Sequence, residues 1–267
     1  MKRYFLVACL TGFAITANAQ VIRVPAGKKF QVVMSSTATT SVTVMGQTID
    51  NINDLSAVQD YTIQSVSKTG FAMTMVTKKI SGSVSIMGHE QKFDSDDEAT
   101  KNSPQMTGPL SYIGKPQEIK VENGKVTTSE EMNRMLSSIG MNADIEGEVA
   151  KLFFMPTFEG VKQGSGWTDS TVAEGFKIVN QYLVTSVTGD QVEMRVATDT
   201  RMNTTIKQAG MDVQADMKGF STSTRTYDKK TGLLITEKGA SEITGTADGM
   251  GVKAPMTVKS TSLITVK

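Results

Sequence analysis

The sequence predicts a mainly β protein. Internally duplicated antiparallel meanders form a strongly curved sheet or half-barrel, with two short helices, about 129–139 and 143–154, packed against the concave side. Three observations lead there. Apolar and polar residues alternate at period two along much of the chain. Glycine-containing turn signals punctuate it at short intervals. Segments of the early chain recur near its end.

Residues 1–19 read as a signal peptide. Lys2 and Arg3 form the basic region, Tyr4 to Ile15 is apolar apart from Thr11 and Gly12, and Ala17-Asn18-Ala19 presents small residues for cleavage after Ala19. The protein is therefore expected to be exported, to the periplasm or beyond. A bilayer span needs about 20 apolar residues, and neither this run nor any later one reaches that, so no transmembrane segment is expected. Leu6-Val7-Ala8-Cys9 also matches a lipobox. Cutting there would leave an eight-residue signal and an apolar tail, Thr11 to Ala19, where a lipoprotein carries a polar tether. Cleavage after Ala19 is the better reading, and it removes Cys9, the one cysteine. Disulfides, thiolate nucleophiles and cysteine metal sites go with it. Without Lys2 and Arg3 the chain has 26 basic and 27 acidic residues, a net charge of −1 that favours neither nucleic acid nor an anionic membrane.

The first β repeat is placed at 20–110 and the second at 176–267. Lys68-Thr69-Gly70-Phe71-Ala72-Met73-Thr74 aligns with Lys230-Thr231-Gly232-Leu233-Leu234-Ile235-Thr236. Ile80-Ser81-Gly82-Ser83 aligns with Ile243-Thr244-Gly245-Thr246, and Met87-Gly88 with Met250-Gly251, always at an offset of 162 to 163. Within the first half, Ser41-Val42-Thr43-Val44-Met45-Gly46 resembles Ser83-Val84-Ser85-Ile86-Met87-Gly88. Four related units result, at about 30–52, 71–94, 190–217 and 232–260, each read as strand, strand, glycine turn, strand. The strands show their period in Val192, Met194 and Val196 against Glu193 and Arg195, and in Phe71, Met73 and Met75 against Ala72 and Thr74. Short turns between such runs imply antiparallel pairing with one face buried.

Residues 111–175 differ. Ile119 to Thr127 reads as a hairpin about Asn123-Gly124. Thr128-Ser129-Glu130-Glu131 is a capping box, followed by Met132, Met135, Leu136 and Ile139 at helical spacing and a stop at Gly140. A second helix buries Ile145, Val149, Leu152 and Phe153 before Pro156. Gly160 to Gly175 reads as a loop containing Trp167. Asp94 to Pro109, with four clustered acids, reads as a solvated acidic loop in preference to a calcium loop, since no Asp-x-Asp-x-Asp-Gly follows.

These features resemble a family of uncharacterised exported β-rich proteins of Gram-negative bacteria, a domain-of-unknown-function family. The residues behind the resemblance are the paired Met-Gly hairpins, Ile113-Gly114-Lys115 with Glu122-Asn123-Gly124-Lys125-Val126, and Gly164-Ser165-Gly166-Trp167. It implies no activity and hence no catalytic residues. In architecture, a curved sheet with helices across its mouth is similar to periplasmic lipoprotein carriers, a likeness of fold only.

Chemistry is sparse. His89 is the one histidine, set in a turn whose equivalents are Gln47, Met211 and Val252, which marks an exposed turn residue. No Gly-x-Ser-x-Gly elbow, zinc-ligand set or phosphate-binding glycine loop occurs. Carboxylate pairs stay open, because the 27 acids give no way of choosing two. The methionines fit core filling or an adaptable ligand wall, and copper binding by them would want histidine or cysteine beside them. Trp167 fits a core anchor or a stacking platform.

The expectation is a non-enzymatic protein without cofactor or metal that holds a lipid or other apolar small molecule. Met132, Met135, Leu136, Ile139, Val149, Leu152, Phe153 and Trp167 are the candidate cavity lining, around a space of roughly several hundred Å³. The alternative is a structural or protein-interaction module of the cell envelope with a filled core, recognising an envelope protein through an edge strand or apolar patch.

Overall fold

The computed structural model describes residues 22–103, 106, 110–122, 125–128, 145–153, 160–173, 175–208, 211–249 and 252–267. The expected signal peptide, the expected helix at 129–139 and all of its capping box except Thr128, which ends β6 below, lie outside them.

Twelve antiparallel strands form one open, curved sheet. They are β1 (Lys29–Val44), β2 (Gln47–Val66), β3 (Gly70–Ile86), β4 (His89–Asp94), β5 (Pro116–Glu122), β6 (Lys125–Thr128), β7 (Gly166–Ala173), β8 (Phe176–Val187), β9 (Gln191–Gln208), β10 (Met211–Asp228), β11 (Leu234–Gly249) and β12 (Val252–Val266). Two short helices are described, α1 (Glu98–Lys101) and α2 (Ile145–Leu152). The spatial order is β6-β5-β3-β2-β1-β12-β11-β10-β9-β8-β7, so β1 and β12 pair at the middle of the sheet and β6 and β7 are its ends. The long strand β3 has two short partners end to end, β5 along Gly70–Val76 and β4 along Ser81–Ile86.

The four sequence units are four hairpins, β1–β2, β3–β4, β9–β10 and β11–β12. In each, the two strands expected before the glycine turn run together as one of 16 to 18 residues. No turn-forming cluster interrupts them, so extended pairing carries through. Met45-Gly46 and Met87-Gly88 form the tight turns, with φ of 51° and 79° at the first and 51° and 82° at the second. Positive φ at both central residues makes them type I′ turns, whose twist matches that of the flanking strands.

Register defines one inner face, against which α2 packs. Its lower end is the core. Phe30, Val32, Tyr61, Ile63, Phe71, Met73, Met75, Ile119 and Val121 come from the first half. Val184, Val192, Met194, Val196, Tyr227, Leu234 and Ile264 come from the second. Ile22 and Val24 join them. Phe153, 2% exposed, wedges in just after α2, edge-on to Phe30 (centroids 6.3 Å apart) and angled at 63° to Phe71 (5.0 Å). Phe153 also bridges Leu233, and the Tyr227 hydroxyl donates to the Lys151 carbonyl at 3.1 Å. Burying a large aromatic side chain contributes about 1.5–3 kcal/mol, so Phe153 and its bonded neighbours hold the helix across that end of the sheet.

Two local expectations are corrected. Gly166–Ala173 is not loop but the edge strand β7. Its exposed Thr, Asp and Ser side chains disguise it, because an edge strand need not be apolar on either face. The acidic stretch after Asp94 is partly ordered as α1, where Asp97 caps the helix by accepting from the Thr100 N–H at 3.1 Å. Lys79, at the break between the two partners of β3, reaches Asp94 at 3.0 Å and Asp96 at 2.7 Å. The Asp96 N–H and the Lys79 ammonium hold the Asp94 carboxyl below the usual range.

Candidate functional site

The inner face is built in rows, because residues opposite one another in an antiparallel pair point the same way. The row above the core runs Ile80, Ala57, Met34, Ile264, Glu237, Arg225, Met194, Val184 across β3 to β8. The next two rows are small or polar along the middle of the sheet, with larger side chains toward its sides: Gly82, Leu55, Ser36, Ser262, Gly239, Ser223, Val196, Tyr182, Trp167, then Val84, Asn53, Ala38, Ser260, Ser241, Ser221, Thr198, Asn180, Asp169. Nearest the hairpin tips the face turns apolar again. One row reads Ile86, Asn51, Thr40, Val258, Ile243, Gly219, Thr200, Ile178, and the next Ile49, Val42, Met256, Gly245, Met217, Met202, Phe176, with the buried Ala254 and Ala215 one row further.

Curvature explains the small residues. Side chains on the inside of a bent sheet converge, so large ones on neighbouring strands would collide. A Cβ at Gly219 would lie 2.6 Å from the Ile243 side chain, and one at Gly239 would lie 2.9 Å from the Ser262 hydroxyl.

The polar rows form a hydrogen-bonded girdle. Asn180 donates to the Asp169 carboxylate at 2.8 Å, the Thr198 hydroxyl donates to Asn180 at 2.8 Å, and the Ser241 and Ser260 hydroxyls share a bond of 2.7 Å. Trp167 stacks on Tyr182, centroids 4.9 Å apart and 11° from parallel. Burial, with the Asp169 carboxylate beside it, pushes the Tyr182 hydroxyl's pKa well up. Just beneath, Arg225 Nε meets Glu237 Oε1 at 3.2 Å, with side chains 12% and 5% exposed. Glu237 Oε2 and Asn51 Oδ1 are buried acceptors with no hydrogen-bond partner among the described residues.

Above the girdle the apolar side chains are only part-covered. Val42, Ile49, Val258, Ile243, Met256, Met202, Ile178 and Phe176 are half-buried, Met217 is buried, and Ile86 is 50% exposed. The opposite face of the same strands carries Lys177, Arg195, Arg201, Lys218, Glu242 and Lys259, with Ile52, Leu183, Phe220 and Leu263 exposed among them. It also holds an open, polar depression of 550 Å³ across β3, β2, β1, β12 and β11, lined by Ser35, Thr37, Asp54, Ser56, Ser81, Lys238 and Thr261 among others. Asp54 there already accepts from the Thr37 and Ser83 hydroxyls at 2.6 and 3.3 Å.

The residues expected to line a cavity fall elsewhere. Val149, Leu152 and Phe153 are packed into the lower core, and Trp167 lies part-buried against it in β7. Met132, Met135, Leu136 and Ile139 lie outside the described residues. His89 is exposed at the start of β4. The buried pair Arg225–Glu237 and the apolar rows near the tips were missed. Their signal was an Arg at an apolar-parity position of β10 and Ile, Val or Met recurring at that parity beside each hairpin tip. Among the described residues, no helix is long and apolar enough to cross a membrane.

A family model described as a family of unknown function (DUF6263) matches residues 142–234, from α2 to the start of β11. That segment includes Gly164 to Trp167 but not the 113–126 stretch. No curated protein matches the sequence. Among solved structures, a lipovitellin described for its lipid–protein interactions is similar at TM-score 0.49 and 8% identity, over 92% of this chain. The chain spans only 25% of the lipovitellin's length. An outer membrane channel from Pseudomonas putida F1 gives TM-score 0.28 at 7% identity, with 93% and 98% of the two chains covered. Ail of Yersinia pestis gives 0.16 at 5%, with 91% and 99% covered.

Proposed function

We propose that this is a non-enzymatic, exported protein that holds an elongated apolar molecule, a lipid or acylated compound, along the inner face of the sheet between girdle and hairpin tips. The observation that carries the reading is the continuity of the inner apolar rows: Ile243 pairs with Val258, Val42 with Ile49 and Met256, and Met202 with Met217 and Phe176, whereas outside the exposed Phe220, Leu263 and Leu183 each stand opposite a charged side chain. Apolar side chains left accessible on one continuous face mark a binding surface when they lie in a concavity. Methionine at Met202 and Met256 suits varied acyl chains, being unbranched and adaptable. The unpartnered Asn51 Oδ1 within the apolar rows can accept one hydrogen bond from such a ligand. The close acid–base pair found inside among the described residues, Arg225–Glu237, is bonded to itself beneath the girdle, which favours binding over catalysis. Export is supported by the leader at 1–19, and Ile22, three residues past the expected cleavage point, is already buried in the core.

The test is displacement of a fluorescent fatty acid from the purified mature chain, with Val258→Glu and Ile243→Glu as probes. Wild type binds and both variants lose affinity by at least roughly tenfold. Equal binding by a folded variant, or none by wild type, refutes the reading.

The open edge of β7 favours a second reading, a protein-interaction module of the envelope. Its outer edge pairs with no strand among the described residues, so it can accept a strand from a partner. Native mass spectrometry from the host would show a stoichiometric protein in that case and bound lipid in the first.

A further inference from the structure

The inner-face trough proposed above as the lipid site is closed at one end, where α2 and Phe153 fill the core, and runs toward the hairpin tips at the other. The tips are unusual. Met45 is 94% exposed and Met87 67%, with Ile86 beside it at 50%. Both methionines hold φ of +51°, a left-handed conformation that Asn, Asp or Gly adopts far more easily. At such exposure no packing inside the molecule repays that strain, and the same choice is made at two separate turns. The outermost residues, 42–49 and 86–89, contain no Asp, Glu, Lys or Arg, and the first charges below them are the exposed acids Asp50, opposite Ser41, and Glu90, opposite Ser85. The tips therefore offer flexible apolar side chains with acids just behind them, which fits the boundary between headgroups and acyl chains of a neutral bilayer. An anionic surface would meet those acids unfavourably.

Register staggers these tips: Asn51 lies opposite Ile86, so the β1–β2 hairpin projects beyond the β3–β4 turn. Strand tilt of the kind found in curved walls brings staggered ends toward one rim.

We infer that this rim docks on an electrically neutral lipid surface through Met45 and Met87, placing the open end of the trough against the bilayer. The inference rests on the lipid-binding reading for its purpose but is tested apart from it.

The experiment is flotation of the mature protein with vesicles of pure phosphatidylcholine and with vesicles containing anionic phosphatidylglycerol, for wild type and for Met45→Asn/Met87→Asn. Asn is favoured in both turns, so the double variant keeps or raises its melting temperature, and lost binding cannot be ascribed to unfolding. Wild type should float with phosphatidylcholine vesicles at least as well as with the anionic ones, and the double variant should partition at least roughly tenfold less. Equal partition of the variant, flotation with anionic vesicles alone, or no flotation of wild type overturns the inference. Fatty-acid displacement in vesicle-free buffer separates the two proposals. Docking without displacement sinks the trough and leaves the rim, and displacement without docking does the reverse.

Discussion

Replacing Glu237 by Leu removes one member of an ion pair held in an otherwise apolar row. Arg225 Nε and Glu237 Oε1 are 3.2 Å apart with side chains 12% and 5% exposed, so the single change leaves a guanidinium with little water to solvate it. Breaking such a pair costs about 3–5 kcal/mol. Removing both charges, as Arg225→Met/Glu237→Leu, leaves a neutral row and is expected to be neutral or to stabilise by about 1–4 kcal/mol. Glu237 Oε2 strengthens the second expectation, since an acceptor buried without a partner already costs about 1–3 kcal/mol. Urea unfolding of wild type, both single variants and the double closes the cycle, with unchanged m-values as the check that the same surface is exposed. The double should be more stable than either single by several kcal/mol. A Glu237→Leu variant within about 0.5 kcal/mol of wild type, a change typical of exposed sites, or a double no better than the worse single, refutes the reasoning.

Tyr227 gives a pH-dependent prediction. Burial pushes its pKa up to about 12, so above about 10, where the unfolded tyrosine ionises, the unfolded state binds fewer protons than the folded one. Stability falls as pH rises between those values, by up to about 2–3 kcal/mol. Tyr227→Phe should flatten that loss in alkaline unfolding curves while costing about 0.5–1.5 kcal/mol at neutral pH through loss of the hydroxyl's bond to the Lys151 carbonyl. Asn51→Leu removes a buried unpaired acceptor from an apolar row and should raise urea stability by about 1 kcal/mol. The same variant should bind an alkane-like probe as well as wild type does, but a hydroxylated one less well.

The sheet was legible because its signals are local. Period two, the Lys-Thr-Gly turns and the Met45-Gly46 and Met87-Gly88 turns each show in a few neighbouring residues, and each falls at a strand or hairpin of the structure. The strands' length was not legible: nothing in Phe30 to Val44 says that two expected strands are one. β7 was hidden because an edge strand with solvent on both faces has no apolar period to show. The candidate site was less legible still. Rows such as Ile86, Asn51, Thr40, Val258 and Ile243 exist only through register, and register is set by pairings between residues up to about 200 positions apart in sequence. The helical pattern drew attention to Phe153 and its neighbours instead. An amphipathic stripe looks the same in sequence whether it closes a core or lines a space.

The pairing of β1 with β12 has a consequence for assembly. Gln31 and Lys267 exchange backbone hydrogen bonds of 2.9 Å in each direction, so the seam at the centre of the sheet joins the first strand to the last. A chain emerging N-terminus first can form β1–β3 early, but it must keep the inner edge of β1 unpaired until β12 arrives. Until then the half-built sheet presents a long unprotected edge, which invites pairing with another copy. Joining the two ends with a short linker and reopening the chain at the β6 side would move that seam to the periphery. Such a permutant should refold faster and aggregate less than the natural order, because its longest wait is for an edge strand.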